Sequence, residues 1–380
     1  MRETPWHNFD FWLFGAVALL TIFGITMIRS AIAGNIELID TNTVEKQIIF
    51  AAGGFIVAMI TTAIDYRLWA SLSRFLYSGM IVTLVILNTI GNQLFGSNRW
   101  FRVGPILIQP SELAKIVIIL VLADFYTRHQ EKISQLSWIV RSLILTFGIA
   151  IWILIQPDLS TSIVIFVLWF ALTWAGGLKI KHLIILTVAG ALVLGLGLGF
   201  LLVTYDPGST GGLIKTYQIE RILNFLFYDP EARYGAIYNV QQALVSIGSG
   251  GWFGKGYEGG TQVQLRFLKV RHSDFIFSAL AEEFGFVGTL AVMALLIFII
   301  LRCLRAARVS SDTFGALIAY GVATLLTFQA IVNIGMNLNL LPVTGLPLPF
   351  VSYGGSSLLS MLIGIGLVES VVLRQKALEF

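Results

Sequence analysis

Charge is what this sequence has least of. Only 12% of its 380 residues are Asp, Glu, Lys or Arg, against about 25% in ordinary globular chains. A water-facing surface cannot be built from so few charges, which excludes a soluble enzyme, a disordered chain and a nucleic-acid binder. Cysteine is nearly absent: the single Cys303 rules out an internal disulfide and a thiolate metal cluster. Histidine is scarce as well, and His7, His129, His182 and His272 stand too far apart for a metal motif of known spacing. The net charge of +4 is too small to point to a polyanionic partner. What fills the chain instead is apolar side chains, at 56%, together with 37 glycines. The mean hydropathy of +0.83 says the same.

This composition reads as an all-α polytopic membrane protein. A bilayer core about 30 Å thick is crossed by about 20 apolar residues in helical form. Ten such stretches can be read, at 11–28, 47–64, 75–95, 111–126, 142–158, 160–178, 183–205, 274–301, 314–341 and 350–373. The fifth and sixth are split only by Gln156-Pro157-Asp158, where Pro157 is a helix breaker; a fused pair would make nine. Ala31-Ile32-Ala33 resembles a signal-peptidase site, but the flank at 1–10 is charge-balanced rather than basic, so the first stretch is read as a retained helix.

Cations in short connections set orientation. Thirteen Lys and Arg, from Arg2 through Arg67, Arg74, Arg128 and Arg302 to Lys376, fall in one set of connections, and only Arg29, Lys46, Arg99 and Arg102 in the other. The first set is assigned to the cytoplasm, with both termini inside. One connection stands apart, at 206–273, and this assignment puts it outside. It holds seven Lys/Arg and five Asp/Glu, and loops this long are uncommon unless functional or disordered. Its apolar residues Tyr217, Ile222, Leu223, Phe225, Leu226, Phe227 and Tyr228 suggest a part lying on the membrane surface or over the bundle. No long repeat and no separate soluble domain is evident, so 1–380 reads as a single integral membrane domain.

Several motifs admit two readings. The glycine-rich stretch from Gly248 to Gly256 invites a phosphate-loop reading, but its spacing fails by one place and Gly256 replaces the required Ser or Thr. A flexible turn, or a backbone-rich turn that approaches a ligand phosphate, remains. Glu112 and Lys115 lie three apart on one apolar stretch, about 60° around a helix. They form either a structural ion pair or a lysine held ready for an anionic substrate. Asp158 follows Pro157 at a break between stretches and is either a cap for the next helix or a functional acid within the membrane. Asp274, after His272-Ser273, is either a helix-start residue favoured by the macrodipole or a general base at the membrane boundary. Glu282 and Glu283 lie about 12 Å deeper and cannot both share its face, so they read as bundle-interior polar residues. Gln329, Asn333 and Asn337 share a face through their four-residue spacing and are expected to look at protein rather than lipid.

These blocks carry a resemblance. Asn333-Ile334-Gly335-Met336, followed by the run from Leu341 through Pro342, Pro347, Pro349 and Ser352 to Ser356, resembles the hallmark of the SEDS family (shape, elongation, division and sporulation proteins). Supporting matches are Gln109 to Lys115, Gln156 to Thr161, Tyr217-Gln218 with Arg221-Ile222, Tyr238 to Ala243, Ile247 to Gly256, Gly260-Thr261-Gln262 and His272 to Phe277. Short termini and the wording of the last motif favour the rod-shape elongation branch over the division branch. The resemblance implies a ten-helix glycosyltransferase in the bacterial cytoplasmic membrane. The resemblance further implies that it polymerises lipid II on the extracytoplasmic face, beside a class B penicillin-binding protein and other elongation-complex proteins. It also implies that Asp274 is the essential acid and that Glu112 and Lys115 are a functional pair. Two departures occur: Lys269-Val270 stand where the family often has Pro-Glu, and Ser160 where Gly is usual.

The mechanism expected from these residues is an inverting transfer, with Asp274 taking a proton from the acceptor hydroxyl. A pyrophosphate leaving group calls for cations. Lys115, Arg221, Lys255 and Arg271 are the candidates, with Asp158 in support and a divalent cation such as Mg or Mn as a candidate addition. Two other classes fit the composition: a lipid II flippase or transporter, and a non-catalytic scaffold. Transporters place ionic sites near the midplane and show duplicated halves, whereas Asp274 sits at the edge of a stretch.

Overall fold

Apolar runs punctuated by capping residues set the order of the elements. The protein's structure, a computed structural model, describes residues 5–33, 39, 42–90, 92–94, 97–103, 106–132, 135–204, 225, 235–268 and 270–375. Its helices are α1 (Phe11–Ile32), α2 (Thr43–Ala63), α3 (Tyr66–Ile90), α4 (Pro110–Arg128), α5 (Leu136–Ile155), α6 (Leu159–Ala175) and α7 (Ile180–Thr204), followed by α8 (Gly235–Ser249), α9 (Thr261–Gln264), α10 (Ile276–Val309), α11 (Thr313–Asn337) and α12 (Gly355–Leu373). Asp10, Asp158 and Asp312 cap α1, α6 and α11, each accepting a backbone N–H three residues on, a donor that the helix start would otherwise leave unpaired.

Each of the ten apolar stretches overlaps a described helix, α1–α7 and α10–α12. Seven of these, α1, α2, α3, α5, α10, α11 and α12, are long and apolar enough to cross a membrane. The chain is a multi-pass membrane protein. α4 is long enough but carries Glu112, Lys115, Asp124 and Arg128; α6 stops at 17 residues. Pro157 does separate α5 from α6.

Three corrections apply to the sequence reading. The third helix starts at Tyr66, earlier than expected, and gives way after Ile90 to a small antiparallel sheet of β1 (Asn92–Leu94), β2 (Ser97–Val103) and β3 (Ile106–Ile108). Phe101 pairs with Ile108 and Val103 with Ile106; of the stretch expected at 75–95, residues 92–94 belong to β1 rather than to the helix. The last helix starts at Gly355, because 350–354 form a turn. Within 206–273 the structure places α8, α9 and the glycine-rich stretch. Tyr217, Arg221, Ile222, Leu223, Leu226, Phe227, Tyr228 and Lys269 lie outside the described residues.

The middle of the bundle is made by α4, α11 and α12. In α12, 89% of the most apolar window is buried, against 22% in α3, so polar residues on α4, α11 and α12 face protein. Small residues let α12 lie close along α2: Thr62 Oγ1 donates to Gly366 O at 3.2 Å and Ser370 Oγ to Ile64 O at 2.6 Å. Gln47 of α2 braces the turn before α12, accepting from Gly354 N at 3.2 Å.

Candidate active site

α10 is broken, and the break explains the glycines. At Gly285 the backbone leaves helical geometry (φ 68°, ψ −166°), which frees carbonyls and amides that an apolar environment cannot satisfy. The stretch at 248–256 satisfies them. Lys255 N and Gly256 N donate to Glu282 O and Glu283 O at 3.0 and 2.9 Å, and Phe286 N and Val287 N donate to Gly251 O and Trp252 O at 2.8 and 3.0 Å. Contact this close excludes side chains: a Cβ on Gly254 would lie 2.1 Å from Glu283 O. The flexible-turn and phosphate-turn readings both give way to a backbone plug in a broken helix.

The same plug takes up Lys255. Its Nζ lies 2.7 Å from Oε1 of Glu282, a side chain with no exposed surface. Glu282 also accepts from Thr261 Oγ1, Gln262 N and Val263 N at 3.0–3.2 Å. Glu283 is buried too and accepts from Ser30 Oγ of α1 at 2.5 Å. Both glutamates are interior, as expected; Glu282 holds the glycine-rich stretch and α9 onto α10, and Glu283 holds the end of α1 there.

Ahead of α10, three successive carbonyls are held from outside the helix. His272 O accepts from Tyr353 N at 2.9 Å, and Ser273 O from Ser352 Oγ at 2.7 Å. Asp274 O accepts from Asn333 Nδ2 and Asn337 Nδ2 at 3.2 and 3.1 Å. The Asp274 carboxylate, half-buried, accepts from Ser273 Oγ at 3.1 Å. Its Oδ2 faces the backbone of Gly345, where a Cβ would stand 3.6 Å away and φ is +76°. Beside it, burial and then the Arg271 charge pull His272 down to about 4, so its imidazole is neutral at physiological pH.

Of the other expected positions, Ser160 reaches the same loop and Asp158 reaches the start of α12 through Gln109, whereas Glu112, Lys115 and Arg271 make other contacts. Asp158 caps α6 through Thr161 N and Thr161 Oγ1 at 3.2 and 2.9 Å and accepts from Gln109 Nε2 at 3.2 Å. Gln109 N in turn donates to Ser356 Oγ at 3.0 Å. Ser160, at the departure from the family pattern, donates to Thr344 O at 2.6 Å. On α4, Lys115 Nζ lies 2.7 Å from Glu112 Oε2, both side chains buried, and Ser360 Oγ donates to Glu112 O at 2.7 Å. Arg271 is 5% exposed and donates from Nε to Ala31 O at 2.5 Å, while its Nη2 has no hydrogen-bond partner among the described residues. Burial and then Arg266 lower its pKa. Among the described residues no three His, Cys, Asp or Glu side chains group together to hold a metal ion; these residues build no protein cage for Mg or Mn.

Blocks far apart in the chain therefore meet at one end of the bundle: 109–115, 156–161, 272–277, 333–337 and 341–356. A family model described as cell cycle protein, for FtsW, RodA and SpoVE, matches residues 11–377. The chain belongs to the FtsW/RodA/SpoVE family. This is the SEDS family whose motifs the sequence carries. A relative named peptidoglycan glycosyltransferase MrdB, from Escherichia coli strain K12, is 36% identical over 342 residues, 90% of this chain and 88% of its own. Another named probable peptidoglycan glycosyltransferase FtsW, from Alteromonas naphthalenivorans, is 35% identical over 361 residues, 93% of this chain and 67% of its own. A solved chain, described under structural coordination of polymerization and crosslinking by a peptidoglycan synthase complex, superposes with a TM-score of 0.76 at 29% identity, covering 97% of this chain and 99% of that one.

For this FtsW/RodA/SpoVE member, sequence reasoning missed what Asn333 and Asn337 bind. Their spacing put them on one face, but nothing local named Asp274 as the partner. The sequence also left Lys255 as a free cation and gave no sign of the Arg99 contact, in which Nε donates to Gln156 O at 2.8 Å.

Proposed function

We infer that this chain is a peptidoglycan glycosyltransferase that polymerises lipid II into β-1,4-linked glycan during cell elongation and shape maintenance. The observation that carries the reading is Asp274. It is a half-buried carboxylate before the broken helix, with its backbone fixed on three sides and its Oδ2 facing the glycine of a proline-rich loop.

In this reading Asp274 removes the proton from the GlcNAc 4-hydroxyl of the acceptor lipid II. The freed oxygen attacks the anomeric carbon of the donor MurNAc from the face opposite the pyrophosphate. The new C–O bond forms as the bond to pyrophosphate breaks, the electron pair leaves with undecaprenyl pyrophosphate, and the donor carbon inverts. One carboxylate suffices, since a pyrophosphate leaves without being protonated, unlike a sugar alcohol. Charge on the leaving group calls for preorganised cations. Arg271, whose buried Nη2 has no hydrogen-bond partner among the described residues, is the first choice among them. Lys115 is second, because Glu112 already holds it. Arg221 belongs to the same proposal from sequence alone. A Mg or Mn ion would have to be held largely by the pyrophosphate and water, and no step is routed through one.

The excess of cations in the other set of connections supports an active site on the extracytoplasmic face. A class B penicillin-binding protein transpeptidase, with other elongation-complex proteins, is the proposed partner set, and the bilayer is the medium that delivers lipid II. The reading is tested with the purified chain, its transpeptidase partner and fluorescent lipid II. Glycan ladders with release of undecaprenyl pyrophosphate support it. Scrambling of lipid II in proteoliposomes without polymer would favour the flippase, and neither activity would leave a scaffold.

A further inference from the structure

The first turn of α10, which starts at Ile276 after Phe275, leaves Ser278 N–H without a backbone partner, and a side chain from another helix takes it. A helix extended back to Asp274 would pair Ser278 N–H with Asp274 C=O. Instead, Asn337 of α11 stands between them. Its Oδ1 accepts from Ser278 N at 3.2 Å and from Ser278 Oγ at 2.6 Å, and its Nδ2 donates to Asp274 O at 3.1 Å. The carboxamide thus relays one turn of helix through another element.

Asn333, one turn back on the same face, completes the arrangement. Its Nδ2 donates to Asp274 O at 3.2 Å and to Leu346 O at 2.8 Å. The second proton of Asn337 Nδ2 goes to Asn333 O at 2.8 Å. An amide nitrogen has two donors and a carbonyl two acceptor sites; here both nitrogens and the Asp274 carbonyl are fully used. Both asparagines have no exposed surface. A buried polar network satisfied to this degree is rigid and specific.

We propose that Asn337, together with Asn333, is a positioning residue for Asp274. Without the inserted amide, Asp274 C=O would be free to take Ser278 N–H and wind into the helix, turning its carboxylate away from Gly345. With it, Asp274 stays outside the helix, and Asn333 fixes the facing loop at Leu346, next to Gly345, through the same nitrogen. The distance between the carboxylate and the loop is set by one pair of amides. This rests on the reading of Asp274 as the base, and misplacement of a reacting group by about 1 Å is worth up to about 100-fold in rate.

The test uses the full chain with its transpeptidase partner and lipid II. Asn337→Leu, close in volume and without donor or acceptor, should lower kcat by about 10- to 100-fold while KM changes by less than about twofold. Asn337→Asp keeps the shape and loses the amide donors. It should be slow at about pH 8 and gain on wild type as pH falls to about 5.5, because a protonated carboxyl again donates to Asp274 C=O. Full turnover in folded Asn337→Leu would overturn the proposal. So would an Asn337→Asp defect that follows the loss of melting temperature and shows no recovery at low pH. If Asn337→Leu does not fold, Asn333→Leu, which keeps the Asn337 relay but removes the nitrogen that ties Asp274 O to Leu346 O, should lower kcat by about 10-fold with KM little changed, and unchanged turnover there overturns the proposal equally. The underlying readings fail differently: an inactive wild type sinks the proposed function, and an active Asp274→Asn sinks the base and this positioning with it.

Discussion

Lys255 Nζ lies 2.7 Å from Oε1 of Glu282, and that pair pins the glycine-rich stretch against the break in α10. The lysine is thereby spent on the fold. Lys255→Met, which leaves the fully buried Glu282 carboxylate without its counter-charge, should lower stability by about 3–5 kcal/mol, with little change in KM for lipid II. Glu282→Ala, which strands four donors, should cost about 3–5 kcal/mol. Thermal melts and steady-state kinetics on both variants check this. A raised KM with an unchanged melt in Lys255→Met would return the lysine to the substrate.

Glu112 and Lys115 allow the structural and functional readings to be separated. Removing one partner leaves a buried charge uncompensated, so Glu112→Met or Lys115→Met should each destabilise by about 3–5 kcal/mol. The double variant should recover most of that stability. If the pair also serves the reaction, polymerisation stays low in the double variant although its melt returns.

His272 makes stability depend on pH. Its folded value of about 4 lies below the unfolded value near 6.5, so between these the unfolded chain binds more protons. The contribution is full above about pH 6.5 and is lost as pH falls towards 4, by at most about 3 kcal/mol. Because His272 O and its ring both meet Tyr353, the loss should begin at the turn that carries Asp274. In His272→Phe the fall of melting temperature between about pH 6.5 and 4.5 should flatten; an unchanged slope would assign it to the carboxylates.

Much of this was legible because membrane helices declare themselves locally. Apolar length found the ten stretches, Pro157 split two of them, and four-residue spacing put Gln329, Asn333 and Asn337 on a buried face. The sheet at 92–108 was not legible, since its strands are short, two of three residues and one of seven, and β1 and β2 mix polar with apolar residues without regular alternation. Nor was the role of Gly248 to Gly256. Those glycines answer a break at Gly285, and the bonds between the two exist only in three dimensions. Asp274 stood out through the family motif. That its carbonyl is held by α11 follows from contacts 59 and 63 residues apart, beyond any local pattern.

The central claim is that Asp274 is the base of a lipid II polymerase. The direct measurement is single-turnover polymerisation by purified Asp274→Asn with its transpeptidase partner, alongside lipid II binding and a melting curve. Asparagine keeps the shape and cannot take the proton. The account predicts that glycan synthesis drops by at least about 100-fold, while binding and melting stay close to wild type. Wild-type polymerisation by folded Asp274→Asn would contradict it.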